Sequence, residues 1–235
     1  MKKKFVIGNI VTLSIILIFD AWYMFGGGLF AKSIASIMFV VAGIVNYIYC
    51  TKSRVDLKFP KWMLVALTCA MLADIILVLN FYLGVVVFAL GHVFYFISYC
   101  MLQKINRKDF VCGTGIFVFS FLVIQFVPIL DFGSSFMKNI CCVYALIISF
   151  MVGKSVSNLL KDKNETNIVI VVGSILFFIS DFMLMLDKFA SVSGTSYLCL
   201  GTYYLGQFIL AFSLFKYATI NCKSSNNNHY YSKVS

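Results

Sequence analysis

The sequence predicts an all-α polytopic membrane protein with eight transmembrane helices. Of its 235 residues, 61% are hydrophobic and only 12% are charged, and the mean hydropathy is +0.95. Soluble domains of average composition have roughly 45–50% apolar and about 25% charged residues. The apolar residues form long runs, as membrane-spanning helices do, and not the short alternating segments of a transmembrane barrel.

Eight of these runs approach or exceed the roughly 20 residues that a membrane span needs. Their approximate bounds are 5–24, 29–50, 62–80, 82–102, 110–130, 137–153, 168–187 and 196–217. The first run follows three lysines, as in a signal peptide, but no small-residue cleavage site follows it, so we interpret it as the first helix. Glycine-rich or charged segments separate the runs, among them "FGGG", "TKSRVDLKFPK", "QKINRKD" and "KSVSNLLKDKNETN".

The distribution of lysine and arginine predicts the orientation of these helices. If the N-terminus is inside, sixteen of the 19 Lys and Arg residues fall on the inner side. The three on the outer side are Lys32, Lys138 and Lys188. Positive residues are concentrated in cytoplasmic loops. We therefore expect both termini in the cytoplasm, with residues 1–217 as the transmembrane domain and 218–235 as a polar cytoplasmic tail.

The placement of charge argues against a nucleic-acid-binding protein, and the scarcity of ligand residues argues against a metalloprotein. The net charge is +10, but it lies in short clusters between apolar runs, so we expect no nucleic-acid partner. The eight cysteines are scattered without the spacing of a zinc site or a disulfide framework. Only two histidines are present, which excludes a three-histidine metal site within one chain, and we expect neither metal nor cofactor. One histidine combined with aspartates remains possible as a ligand set.

Two aspartates lie within apolar segments and share a local pattern. Asp74 lies in "LADIILVLN" and Asp181 in "ISDFMLMLD". Both begin the pattern D-x-x-L-x-L, and each lies in the third helix of a four-helix half. Both sit ~18–20 Å from the inner end at roughly 1.5 Å per residue. The pattern is compatible with two parallel four-helix repeats related by an axis along the membrane normal, or with chance in leucine-rich sequence.

Buried carboxyl groups in a membrane are costly, at least ~2.5–3.5 kcal/mol each on insertion scales, and usually face a bundle interior or cavity. Apolar surroundings favour the protonated form of a carboxyl group, which is the form that a general acid needs. The aspartates therefore suggest an acid–base enzyme. Two alternatives stay open: a proton-coupled transporter, and a binding or sensor protein in which the aspartates are structural.

Further polar residues in the predicted helices are candidates for the same site. His92 and Tyr95 are three residues apart and share a helix face, and Tyr203 and Gln207 do so at a spacing of four. Lys32 lies at the outer start of the second helix, where it can extend towards water or meet an anionic group of a substrate.

Several of these segments resemble the YhhN family of membrane proteins, whose characterised members are lysoplasmalogenases. The resemblance lies in "LADIILVLN" with "LGVVVFALGHVFY", in "GSILFFISDFMLML" with "TYYLGQFIL", and in "AKS" before the second helix. Ser33 stands where the family has proline, and Ala73 where it usually has Gly or Ser. The family pattern falls on six residues here: Lys32, Asp74, His92, Asp181, Tyr203 and Gln207.

The resemblance implies hydrolysis of the vinyl-ether bond of lysoplasmalogens to a fatty aldehyde and a glycerophospho-base. Asp74 and Asp181 are then the expected catalytic residues, and either can be the acid. Lys32, His92, Tyr95, Tyr203 and Gln207 are the expected substrate-binding residues. The expected partners are a lysophospholipid substrate and membrane lipid, and the expected location is a bacterial cell membrane.

Overall fold

We analysed a computed structural model that describes residues 2–190 and 192–234, with side chains as far as residue 222. This part of the chain contains eight α-helices and no strands. The helices are α1 Lys2–Met24, α2 Gly28–Lys52, α3 Lys58–Leu79, α4 Phe81–Leu102, α5 Arg107–Phe126, α6 Ser135–Lys161, α7 Glu165–Phe189 and α8 Thr195–Val234. All eight are long and apolar enough to cross a membrane, and in α8 the apolar part is Thr195–Cys222. The prediction of an all-α polytopic membrane protein is confirmed.

Local sequence explains several helix ends. Asn80 is extended (φ −150°, ψ 109°), so it ends α3 and at the same time caps α4 by accepting a hydrogen bond of 3.1 Å from the Leu83 N–H. Helix α5 ends at Phe126 because Val127, the residue before Pro128, is extended. The predicted end at residue 130 is therefore four residues too late.

The predicted loop "KSVSNLLKDKNETN" is largely helical, because α6 continues to Lys161. The sequence pattern assigns Lys154 to the loop charges, but its side chain is fully buried. Its ammonium group lies 2.9 Å from Asp109 Oδ2 and donates to the Lys104 carbonyl at 3.2 Å. The charge is thus compensated inside the bundle, so it does not mark the end of the span.

The helix neighbours support the repeat that the aspartate patterns suggest. In each half, the first helix packs on the second, the second on the third and the third on the fourth. Between the halves, α2 packs against α8 and α6 against α4. Exchanging α1–α4 with α5–α8 reproduces all these pairs. Asp74 is the seventeenth residue of α3 and Asp181 the seventeenth of α7, so the two carboxyl groups occupy matching positions.

The two halves differ around α4. Helix α8 packs against α1 and α3, but within the described residues α4 has no equivalent backbone contact with α5 or α7. Of the described helices, only α6 contacts the backbone of α5. There the backbones approach closely, since a Cβ atom added to Gly153 would lie 2.4 Å from the Gly113 nitrogen. Small residues of this kind allow close helix contacts in membranes.

Candidate active site

Asp74 lies in a polar cluster formed by α2, α3 and α8. The side chain is buried, and its Oδ2 accepts hydrogen bonds from the Ser36 hydroxyl at 2.6 Å and the Tyr203 hydroxyl at 2.8 Å. The Lys32 ammonium lies 3.8 Å from Oδ1 and is itself buried. The Tyr204 hydroxyl lies 3.3 Å from Ser36 Oγ and donates to the Lys32 carbonyl at 3.3 Å. All three direct partners of Asp74 are hydrogen-bond donors or cations, which are the groups that pair with a carboxylate.

Asp181 lies in a second polar cluster formed by α4, α6 and α7. Its Oδ2 accepts a hydrogen bond of 2.7 Å from the Tyr144 hydroxyl and lies 3.1 Å from His92 Nε2. His92 Nε2 is also 2.8 Å from the Tyr144 hydroxyl. His92 is fully buried, whereas the Asp181 side chain is 11% exposed. The carboxyl group, and not the histidine, is therefore the exposed member of this cluster.

The contact of the second ring nitrogen of His92 bears on the tautomer of the imidazole ring. Nδ1 lies 3.4 Å from the thioether sulfur of Met151. That sulfur carries no hydrogen, so in the tautomer with Nδ1–H this nitrogen donates to it. In a neutral imidazole Nε2 is then an acceptor, and a protonated Asp181 carboxyl is a suitable donor to it. The Asp181–His92 pair can hold one proton between Oδ2 and Nε2.

The two clusters follow one plan. Each carboxyl group receives a hydroxyl donor from the second helix of its own half, Ser36 on α2 or Tyr144 on α6. Each is also bonded to a ring side chain from the fourth helix of the other half. That ring is Tyr203 on α8 for Asp74 and His92 on α4 for Asp181.

Both carboxyl groups line one cavity of about 390 Å³, which we call the polar cavity. Its polar lining includes Tyr23, Lys32, Asp74, Asp181, Lys188 and Tyr203. Near the C-terminal end of α7 and the N-terminal end of α8, Asp187 and Ser196 also line it, and the Ser196 hydroxyl donates to Asp187 Oδ1. A cavity that combines apolar walls with a few convergent polar groups is the usual form of a small-molecule site.

A second cavity, of about 100 Å³, adjoins the first; we call it the apolar chamber. Residues of α4, α5, α6 and α7 line it, among them Val85, Ile124, Ile140, Ile148 and Phe178. Four residues line both cavities: Phe81, Phe88, Asp181 and Leu184. Asp181 is the one carboxyl group common to the two linings.

The structure separates the predicted site residues into two sets. Four of them line the polar cavity: Lys32, Asp74, Asp181 and Tyr203. His92 is not part of that lining, but it contacts Asp181. Tyr95 and Gln207 do not line the polar cavity either. They are buried and bonded to each other, since the Tyr95 hydroxyl donates to Gln207 Oε1 at 2.6 Å. The roles of all these residues in catalysis or binding stay predictions.

Sequence reasoning missed two residues that contact the carboxyl groups directly. Ser36 and Tyr144 are hydroxyl residues in apolar helices, and such residues often bond only to their own helix backbone. Ser36 makes that bond too, to the Lys32 carbonyl at 3.0 Å. A search for hydroxyl residues in the second helix of each half would have found both. Among the described residues, no group of three or more His, Cys, Asp or Glu is arranged to hold a metal ion, and the expectation of no metal remains a prediction.

Comparison with known proteins identifies the family. The model of the YhhN family matches residues 28–214, most of the chain and every residue of the two clusters. The chain belongs to the YhhN family. The resemblance seen in the sequence is thereby confirmed, and a membrane hydrolase is compatible with family membership. Neither a search of curated proteins nor one of solved structures gave a significant match to this family member.

Proposed function

We propose that this YhhN-family protein hydrolyses the vinyl-ether bond of lysoplasmalogens, releasing a fatty aldehyde and a glycerophospho-base. The observation that supports the proposal most directly is the pair of unlike carboxyl groups in one polar cavity. Asp74 is paired with a lysine, and Asp181 with a histidine that can share a proton with it. Two carboxyl groups with different surroundings in one site can act as acid and base.

Asp181 is the proposed proton donor. A vinyl ether resists nucleophiles, but it reacts when a proton is delivered to its β-carbon. The π-electron pair of the C=C bond takes the proton held between Asp181 and His92, and a lone pair of the ether oxygen stabilises the resulting oxocarbenium ion. The Tyr144 hydroxyl, 2.7 Å from Asp181 Oδ2, orients the carboxyl group for this transfer.

Asp74 is the proposed base and the group that stabilises the cation. Its carboxylate takes a proton from water as the water oxygen bonds to the α-carbon, which gives a hemiacetal. The hemiacetal C–O bond to glycerol then breaks. The glycerol oxygen takes the proton that Asp74 holds, and the hemiacetal hydroxyl gives its proton to the Asp181–His92 pair as the aldehyde forms. One water is consumed, and the Asp181–His92 pair regains its proton, so the cycle needs no oxidant or reductant.

The cations of the polar cavity suit the phosphate of the head group. Lys32 and Lys188 both line this cavity, and Lys188 is exposed near its outer end. Because Lys32 is also the ion-pair partner of Asp74, its replacement should alter the chemical step as well as binding. If both termini are cytoplasmic, as the lysine distribution predicts, this end of the cavity faces away from the cytoplasm. Reporter fusions after Lys104 and at the C-terminus should both report cytoplasm.

The test of function is aldehyde release by the purified full-length protein. A 1-alkenyl lysophospholipid should give fatty aldehyde without added cofactor, while the 1-acyl analogue, which has no alkene carbon to protonate, should be spared. In D₂O the aldehyde should carry one deuterium on the carbon beside the carbonyl group. Authentic aldehyde incubated under the same conditions controls for exchange after release. Aldehyde without deuterium would contradict proton donation to carbon.

Transport is the alternative function, and it can be tested with the same purified protein. If the protein releases no aldehyde, and Asp74→Asn changes proton-coupled flux in liposomes, transport replaces hydrolysis as the function. The geometry favours hydrolysis because α3, α4, α7 and α8 run unbroken past both carboxyl groups, whereas many carriers have discontinuous helices at such a site.

A further inference from the structure

The apolar chamber occupies the place where the two halves of the fold differ. Helix α1 packs against α8, but its counterpart α5 does not reach α4 in the described part of the chain. Helix α3 likewise packs against α8, and its counterpart α7 does not reach the backbone of α4. The chamber fills this gap, with α4, α6 and α7 around it and Ser120 and Ile124 of α5 on one side. The gap is thus a local departure from the repeat and not a general looseness of packing.

The lining of the chamber selects an apolar occupant. The hydroxyl groups in its wall already have partners, since Ser120 donates to the Ile116 carbonyl at 3.0 Å and Tyr144 to Asp181. The remaining side chains are aliphatic, aromatic or sulfur-containing, apart from Asp181 at the boundary with the polar cavity. Ordered water needs two to four polar partners, and a cavity without them favours hydrocarbon.

The packing of α5 points to a ligand that comes from the membrane. Among the described helices, the backbone of α5 contacts that of α6 alone, so α5 is separated from α4 and α7 on one side of the chamber. Phe119 and Leu122 on α5 and Val86 on α4 are 49–56% exposed, as residues in contact with lipid chains are. A hydrocarbon chain that enters from the bilayer would meet apolar side chains on both helices.

We propose that the apolar chamber binds the hydrocarbon chain of a single-chain lipid whose phosphate-bearing head lies in the polar cavity. The inference rests on the proposed function and extends it, because Asp181 lies where the two cavities meet. A lipid that occupies both cavities has its first chain carbons beside Asp181. A vinyl-ether bond at those carbons would therefore lie beside Asp181 too. The second carboxyl group, Asp74, lines only the cavity assigned to the head.

Two substitutions on one face of α6 would fill the chamber. Ala145 and Cys141 both line it, one helical turn apart, so Ala145→Phe and Cys141→Phe should each occupy space that the chain needs. Cys141 is only partly buried, which makes its variant the more tolerant of added volume. Val143 lies between them on α6 but is 58% exposed, so Val143→Phe adds a ring outside the chamber as the matched control.

The probe is a 1-alkyl lysophospholipid, a saturated ether that cannot be hydrolysed by protonation of a double bond. Its affinity for the full-length protein in lipid nanodiscs is measured with chains of about 16 and about 8 carbons. Both chamber variants should weaken binding of the longer chain by ~10-fold or more, since the added ring excludes chain carbons from the chamber and their packing contacts are lost. Binding of the shorter chain should fall less, and Val143→Phe should leave both affinities unchanged.

The outcomes separate the chamber from the reaction. If both chamber variants fold, as judged by thermal unfolding and gel filtration, and bind the longer-chain probe like wild type, the chamber is not the chain site. That result would leave aldehyde release by wild type untouched. If wild type releases no aldehyde but the chamber variants lose the longer-chain probe selectively, the lipid site stands and the proposed hydrolysis fails.

Discussion

The Asp74 and Asp181 clusters are built on equivalent positions of two repeats, yet their chemistry differs. Both carboxyl groups are at residue seventeen of the third helix of their half, and both accept a hydroxyl from the second helix. Asp74 adds a lysine at 3.8 Å, whereas Asp181 adds a histidine at 3.1 Å. Among the described residues, no lysine or arginine pairs with Asp181. The proposed mechanism assigns the base role to the carboxyl group beside the lysine and the acid role to the one beside the histidine.

The comparison shows how a repeat can become an asymmetric site. Matching helix positions place the two carboxyl groups at one depth, and different side chains surround them. Only one neighbour per carboxyl group needs to differ in charge for the two to act as acid and base. A second asymmetry concerns helix packing. In the described part of the chain the backbones of α5 and α7 do not contact that of α4, and Asp181, but not Asp74, lines the apolar chamber there.

The largest expected effect comes from removing either carboxyl group. Asp74→Asn and Asp181→Asn should each reduce kcat/KM for aldehyde release by ~10²–10⁴-fold, the usual contribution of a general acid or base. Asparagine keeps the shape of the side chain but can neither donate an acidic proton nor carry the charge. Gel filtration and thermal unfolding check that the variants fold. Full activity in both would show that these aspartates are not the catalytic pair.

The Lys32–Asp74 ion pair should contribute measurably to the free energy of unfolding. Lys32→Met leaves a buried carboxylate without its cation and should lower the free energy of unfolding by ~3–5 kcal/mol. Adding Asp74→Asn should restore most of that loss, because the unpaired charge is then absent. Thermal unfolding of wild type, both single variants and the double variant measures the coupling. If the changes in the free energy of unfolding of the two single variants simply add in the double variant, Lys32 and Asp74 do not interact energetically.

Matched tyrosine variants compare the two clusters most directly. Tyr144→Phe and Tyr203→Phe each remove one hydroxyl that donates to a carboxyl oxygen, at 2.7 and 2.8 Å. We expect each to lower kcat by roughly fivefold, the effect of about 1 kcal/mol from a lost hydrogen bond. The solvent deuterium isotope effect on kcat should be smaller in Tyr203→Phe, because loss of a donor that orients the Asp74 carboxylate slows water addition rather than proton transfer to carbon. The reverse order would exchange the roles of the two aspartates.

The smallest expected effect is at Tyr95 and Gln207. Their hydrogen bond of 2.6 Å is buried away from the polar cavity, so Tyr95→Phe should change kcat/KM less than about threefold. Its cost should appear instead in stability, at about 1 kcal/mol. Kinetics and thermal unfolding, measured on one preparation of Tyr95→Phe, separate an effect on catalysis from an effect on stability. A rise in KM of tenfold or more would show that Tyr95 does bind substrate, as the sequence predicts.

Much of this comparison can be predicted because charged residues are conspicuous in apolar helices. Asp74, Asp181, Lys32 and His92 stand out in this way, and the matching depth of the aspartates predicts the repeat. The hydroxyl partners do not stand out, since serine and tyrosine are common in membrane helices and their targets depend on helix packing. Lys154 resembles a loop charge because its partner Asp109 is distant in sequence. The apolar chamber has no sequence signal, since in the described part of the chain it arises from helices whose backbones stay apart.

The buried Lys154–Asp109 pair has a consequence for how the chain enters the membrane. Asp109 is near the start of α5 and Lys154 near the end of α6, so the charges meet only when these helices lie side by side. The lysine alone would be costly in hydrocarbon. We therefore expect α5 and α6 to leave the translocation machinery as a hairpin, with the loop around Gly133 crossing first and the two charges neutralising each other as the helices close.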